Sequence, residues 1–417
     1  MTNGGAGGII KNRGGDALKK KMLIVGITMS AGGSEKSFLS FADHIDYEKW
    51  DVTLLLAEKK GALLSLVPPQ IKIETMPDGE IMEINAANAK KILLRKYVAK
   101  NPIRIFPLAV NSIKTAVAKG DKKVYAKNRL WLSAMKTMKS HPGEYDLAIA
   151  YWGDRTMFYT VDKVCAKKKI AWLHFDYRHP PREDALYEKY FMRCDKVVTV
   201  SGEIERSLAE ALPAVREKIV TMENIVDAEQ IKRLAELGNG YEDGFDGIRI
   251  LTVGRICEQK GYDIALPALA RLKKEGFEFR WYALGENNSE YAERIRHMAS
   301  SLGMTEDFVM LGTTENPYKY IKECDIYFQP SRHEGKTIAV EEAKILCRPI
   351  LVTDYRTASE QLSGGDLGMI CDISEKGIEA AMRKMLSDAT LRASFSERLG
   401  KIKRNRDAET EIRSLTE

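Results

Sequence analysis

The sequence predicts an α/β protein made of two doubly wound domains, each wrapped around a mostly parallel sheet. Two observations predict it. Apolar runs of roughly four to eight residues recur along the chain, each followed by a polar loop and a helical stretch, as buried parallel strands alternating with helices require. The chain has 417 residues, more than the roughly 150 of a typical domain, which leaves room for two or three.

The first strand is expected at Lys21–Thr28 (KMLIVGIT). The loop Met29 to Glu35 then leads into a helix near Lys36–His44, and Asp51–Ala57 (DVTLLLA) completes a β-α-β unit. Further strands are expected at Leu147–Tyr151, Lys169–His174 and Val197–Ser201, then, from Arg249 onward, at Ile250–Val253, Phe279–Leu284, Phe308–Leu311, Ile326–Gln329 and Ile350–Thr353. Residues 1–20 are glycine-rich and polar and form a tail without the apolar centre of a signal peptide. The first domain is placed at 21–215, with a basic insertion at 88–140, and the second at 216–394. Gly238–Gly247 is then a loop inside the second domain; the alternative makes that loop the linker.

Composition narrows the function. With 44% hydrophobic and 30% charged residues the chain has globular character, and no run approaches the ~20 apolar residues of a membrane-spanning helix. The six cysteines are scattered without a C-x-x-C pair, which argues against a zinc site or a disulfide framework and points to a reducing, cytoplasmic setting. No G-x-G-x-x-G follows a first strand, which disfavours a nicotinamide dehydrogenase. The net charge of +6 conceals an asymmetry: Asn88–Ser140 holds 14 Lys or Arg against Asp121 alone, 14 − 1 = +13, leaving 6 − 13 = −7 for the rest.

Four segments carry chemistry. In Gln329–Asp354 a strand ends, a polar loop follows, and a helix begins, with Glu334 and Glu342 eight residues apart. Backbone N–H groups near Lys336 and Thr337 would favour a phosphate, since a helix start leaves donors unpaired and carries partial positive charge. In Ile250–Asp263 a strand ends at Gly254, and Arg255 and Lys260 stand five apart in the following loop. Fixed cations there would stabilise charge growing on a departing phosphate; Arg grips through two N–H groups and Lys acts as a point charge. Gly32-Gly33-Ser34-Glu35 follows the first strand, where glycine lets backbone approach a ligand. An ordinary β-α turn would look the same, and Glu35 suits a helix-start carboxylate better than a catalytic one. Last, His174 lies at a strand's carboxyl end in Trp172–Asp176, where an imidazole can reach a substrate hydroxyl; Asp176 and His179 are weaker candidates, and His333 is a neighbour of Glu334.

Glu334-Gly335 running into Glu342-Ala343, Gly254-Arg255 with Lys260-Gly261, and Gly32-Gly33-x-Glu35 together resemble the family-four retaining glycosyltransferases. Val200-Ser201 with Glu203, Asn224–Asp227, Leu284-Gly285-Glu286 and Leu311-Gly312 through Tyr318 match in the same order, so the resemblance covers about residues 21–400. It implies the GT-B fold, two Rossmann-like domains facing each other across a cleft, with the C-terminal helix (395–417) crossing back onto the first. It also implies transfer of a sugar from a nucleotide diphosphate sugar, most simply a UDP-sugar, to a saccharide or lipid-linked acceptor. In that scheme Arg255 and Lys260 hold the diphosphate, Glu342 the ribose hydroxyls and Glu334 the sugar. His174 and Gly33 line the reaction centre; Gly254, Gly335, Lys336 and Thr337 face the donor, and Thr313 to Glu315 lie near the base. No D-x-D triplet occurs, so no metal and no cofactor is expected; cations and the helix start replace a divalent ion.

Two departures stand out. Asn287 follows Glu286 where many relatives have glycine, and Lys336-Thr337 replaces the commoner Phe-Gly, which resembles the branch that builds bacterial surface polysaccharides. The basic window interleaves apolar residues with Lys and Arg, as a surface for anionic lipid on the inner membrane face would. A solvated helical insertion with its apolar residues in the core is the alternative, and nucleic acid is disfavoured because no binding module accompanies the charge. The rival functions are a GT-B epimerase or phosphorylase-like enzyme, and a non-catalytic nucleotide-sugar-binding protein.

Overall fold

The computed structural model describes residues 19–30, 32–83, 105–402 and 407–416. The expected tail up to residue 18, and the part of the basic insertion before Ile105, lie outside the described residues.

The first sheet has seven strands, β1 (Lys20–Gly26), β2 (Trp50–Leu56), β3 (Lys72–Thr75), β4 (Glu144–Ala150), β5 (Cys165–Leu173), β6 (Lys196–Thr199) and β7 (Ile219–Thr221), in the order β3-β2-β1-β4-β5-β6-β7. The second has six, β8 (Ile248–Val253), β9 (Phe279–Leu284), β10 (Phe308–Gly312), β11 (Ile326–Gln329), β12 (Ile350–Thr353) and β13 (Met369–Cys371), in the order β10-β9-β8-β11-β12-β13. Every pairing is parallel. That explains the continuous apolar runs, since a parallel sheet is covered on both faces. Alternate side chains feed separate cores: Leu23 and Val25 enter one, Met22 and Ile24 the other. Ile250 and Leu251 divide in the same way in the second domain.

The helices that matter here are α1 (Gly33–Ala42), α2 (Ile105–Val117), α3 (Gly120–Met135), α4 (Asp154–Lys163), α5 (Asp184–Phe191), α6 (Gly202–Ala211) and α7 (Ala228–Ala235). They continue with α8 (Tyr262–Lys274), α9 (Glu290–Ser301), α10 (Tyr318–Glu323), α11 (Ile338–Ile345), α12 (Ala358–Gln361), α13 (Glu375–Ser387), α14 (Ala389–Gly400) and α15 (Ala408–Thr416). Several starts are legible in sequence: Ser201, Asp227, Ser289, Ser374 and Asp388 each accept a hydrogen bond from a backbone N–H three residues on.

Two boundaries differ from the sequence expectation. The first sheet runs past residue 215, because β7 pairs with β6, and an edge strand of three residues is too short to be assigned from its own sequence. The chain crosses over at 222–227, after which α7 packs on α10 and α11 of the second domain. The return helix is also shorter than 395–417. Phe395 and Leu399 of α14 sit in second-domain cores, and only α15 reaches the first domain, placing Ala408, Ile412 and Leu415 against Met22, Phe41 and Trp50. In the basic insertion, α2 and α3 pack as a helical pair whose buried side includes Leu130, Trp131 and Met135.

Candidate active site

Between the domains lies a cavity of about 350 Å³, lined from the first domain by Gly33, Lys36, Trp152 and His174 and from the second by Arg255, Lys260, Glu334 and Glu342. Its walls are the loops after β1, β5, β8 and β11, all at strand carboxyl ends, where open parallel sheets leave their crevice. Gly254, Gly335, Lys336 and Thr337 line it as well.

Arg255 is exposed and makes no ion pair or hydrogen bond among the described residues. Lys260 is different: its Nζ lies 2.7 Å from Glu334 Oε1. That oxygen also accepts from Ser331 Oγ at 2.6 Å and Gln329 Nε2 at 3.3 Å, while Oε2 accepts from Gln259 Nε2 at 3.3 Å. Glu334 is therefore anchored by three neighbouring side chains and fixes Lys260 at the wall. The turn that makes this possible needs glycine at 261: φ is 67°, and a Cβ would stand 2.0 Å from Pro330 O.

Glu342 is buried in α11, and its Oε1 takes an ion pair from Lys36 Nζ of α1 at 2.6 Å, across the domain boundary. Lys36 also lies 5.1 Å over the Tyr318 ring. His174 packs parallel to Trp172 at 5.9 Å and against Tyr151 at 4.8 Å. Burial pushes its pKa down to about 3, so the imidazole is neutral at physiological pH. Glu35 is also buried, and desolvation raises its pKa despite the Ser34 hydroxyl 2.8 Å away.

The remaining candidates lie around this cavity in different ways. Thr313 is exposed and does not line this cavity; β10 is the edge strand, two places from β8 and so about 10 Å away at normal strand spacing. Lys336 lines the cavity, and Glu223 of the crossover pairs with its Nζ at 2.6 Å. Asp176 and His179 serve the domain junction: Asp176 Oδ2 accepts from Arg356 Nε at 3.0 Å, and His179 stacks on His333 at 5.3 Å.

Two residues given no role in the sequence reading tie the domains together around the site. Asn224 Oδ1 accepts from Ser37 Oγ at 2.8 Å and its Nδ2 donates to Lys336 O at 3.3 Å, joining the two domains through the crossover. Glu360 accepts from the N–H groups of Gly202 and Glu203 at 3.2 and 2.7 Å, capping α6 from the other domain. Both sit in short polar stretches whose partners lie more than a hundred residues away.

The architecture defines a class: a GT-B fold with a cationic interdomain cleft. A glycosyltransferase from Rickettsia africae superposes with a TM-score of 0.61 at 15% identity, over 95% of this chain and 94% of that one. Anabaena Alr3699/HepE, solved with UDP and glucose, gives 0.61 at 14% identity, over 95% of each chain. Residues 245–402 match the family model for glycosyl transferases group 1. It resembles bacterial polysaccharide enzymes. The N-acetylgalactosamine-N,N'-diacetylbacillosaminyl-diphospho-undecaprenol 4-alpha-N-acetylgalactosaminyltransferase of Campylobacter jejuni is 27% identical over 174 residues, 41% of this chain and 45% of that protein. The amylovoran glycosyltransferase AmsD of Erwinia amylovora is 23% identical over 150 residues, 36% of this chain and 41% of that protein. The matched stretch thus spans less than half the length of these curated relatives.

Proposed function

We propose that the protein is a retaining, metal-independent glycosyltransferase that moves a sugar from a UDP-sugar to a glycan or lipid-linked saccharide in bacterial surface polysaccharide synthesis. The observation that carries this is an exposed Arg255, unpaired among the described residues, beside the wall-fixed Lys260 in an interdomain cleft that also presents Glu342 and a neutral His174.

Each group has a task. Arg255 grips the diphosphate and Lys260 adds a fixed charge beside it, so both stabilise the phosphate as the bond to the sugar's anomeric carbon breaks and its electrons pass to oxygen. Glu342 accepts ribose hydroxyls. His174, uncharged, hydrogen-bonds a sugar hydroxyl near the reacting carbon. The acceptor oxygen attacks from the face the phosphate is leaving, and its proton passes to a phosphate oxygen, so configuration is retained without a protein nucleophile. Cations in the cleft supply the charge compensation for which a metal would otherwise serve. The UDP and glucose of the Anabaena structure and the diphospho-undecaprenol in the Campylobacter protein's name support the donor and acceptor classes.

We place the protein in the cytoplasm, on the inner face of the membrane. No described helix is long and apolar enough to cross a membrane, but α2 exposes Ile113 and Val117, one turn apart, beside Lys114 and Lys119. Such a surface suits an anionic bilayer.

A thermal-stability screen of sugar nucleotides tests the donor, since a ligand at about 100 times its Kd adds roughly 2.7 kcal/mol. A radiolabelled-donor assay with and without added acceptor separates transfer from epimerisation. Product formed without acceptor, or strict dependence on magnesium or manganese in place of activity in excess chelator, contradicts the reading.

A further inference from the structure

Lys36 and Glu342 stand where two cavities meet. One is the 350 Å³ cleft holding Arg255 and Lys260. The other, about 560 Å³, runs between Leu63 and Leu66 of the first domain and Asp227, Leu234, Glu315 and Tyr318 beyond the crossover. Lys36 and Glu342 line both. The Glu342 side chain is 2% exposed; its Oε1 is held by the Lys36 ammonium at 2.6 Å, and its Oε2 is buried without a hydrogen-bond partner among the described residues. A buried carboxylate oxygen left open is costly unless a donor arrives, because its hydration has been lost. One oxygen is thus held by a cation and the other is open to a ligand, with the Tyr318 hydroxyl beside the carboxylate as a competing donor.

A vicinal diol engages a carboxylate best through both oxygens at once. Here that pairing needs Oε1, and so it needs Lys36 to let go. The released ammonium has an outlet: its four-carbon stem already reaches the border of the cleft that holds Arg255, and besides Glu342 its Nζ meets the Tyr318 ring.

We propose that Lys36 is a positioning residue that couples the two halves of the donor: the diol displaces Lys36 from Glu342, and the freed ammonium turns into the cleft and meets the diphosphate. This rests on the nucleotide-sugar reading above and adds to it a reason for the two cavities to act together. The ion pair stores a cation on the protein until a diol arrives, so an isolated anion such as inorganic phosphate meets a less positive cleft than a nucleoside diphosphate does.

The consequence is non-additive binding, the defining sign of coupling between two sites. Calorimetry with UDP, UMP and their 2′,3′-dideoxy counterparts measures what the second phosphate adds with and without the diol. In the wild type the UDP-to-UMP affinity ratio should be at least about 5-fold larger for the ribose ligands than for the dideoxy ones. Lys36→Met should make the two ratios equal, and Lys36→Arg, which keeps the cation, should preserve the difference. Equal ratios in the wild type, with UDP still bound, overturn the coupling and leave the donor assignment standing. A difference that persists in a folded Lys36→Met protein does the same. Failure of UDP to bind at all overturns the donor assignment and the coupling with it.

Discussion

Gly335 of the second domain rests directly on the backbone of His174 in the first: a Cβ at 335 would lie 2.2 Å from His174 O and 3.0 Å from Phe175 Cα. The two domains therefore touch main chain to main chain at the centre of the cleft, between the Glu334 loop and the end of β5. Closure of such a cleft expels water from a donor that would otherwise hydrolyse.

Gly335→Ala should hold the domains apart by the depth of one methyl group. Because a displacement of about 1 Å can cost on the order of 10²-fold, transfer should fall by that order, while the two separate cores keep the melting temperature near wild type. Activity within a factor of about two of wild type would show that the contact is not needed for turnover.

Arg255 and Lys260 should separate on replacement by alanine. Each loss should lower turnover by about 10²-fold, as removal of one transition-state donor does. Lys260→Ala should in addition destabilise the fold by about 1–3 kcal/mol, since it leaves buried Glu334 without its cation. Among the described residues Arg255 makes no hydrogen bond or ion pair that its loss would orphan, so the variant's melting temperature should not move. Thermal unfolding beside kinetics checks both.

His174 gives a pH dependence with a definite sign. Unfolded, it takes up a proton near pH 6.5; folded, it resists until about 3. The unfolded state thus binds more protons between those values, and stability drops as pH falls through that window. Burial lowers the pKa of His333 in the same direction. His174→Asn should flatten the decline of melting temperature between pH 6.5 and 4, and an unchanged slope would remove His174 as a cause.

Ile113→Asp with Val117→Asp should weaken sedimentation with anionic vesicles by several-fold and leave transfer to a water-soluble acceptor analogue unchanged. Both side chains are exposed, at 65% and 73%, so no core is disturbed. Equal partitioning would assign the helical pair a purely structural part.

Much of this molecule was legible in its sequence, for reasons that differ by element. Ile326–Gln329 and Ile350–Thr353 match the expected strands residue for residue, because parallel strands buried on both faces carry an unbroken apolar run. Arg255, Lys260 and Glu334 were legible because each follows closely on a strand end, and strand ends of parallel sheets share one edge, whereas Glu342 lies inside α11 and was legible through its eight-residue spacing from Glu334. β3 and β13, with four and three residues, were not, since edge strands that short leave no periodicity to find. Lys36 and Glu360 escaped for another reason. Their partners, Glu342 and the N-terminus of α6, belong to the opposite domain, and only the relative placement of the two sheets brings them together. The same holds for Lys336, whose pairing with Glu223 depends on the path of the crossover.

The central claim is that this cleft binds a nucleoside diphosphate through Arg255, and titration of UDP into wild type and Arg255→Ala by calorimetry tests it most directly. The account predicts saturable binding to the wild type and a loss of about 10-fold or more in the variant, as expected for one charge-assisted bidentate contact worth roughly 1.5–3 kcal/mol. Equal affinity for the two proteins, or no binding to either, would contradict it.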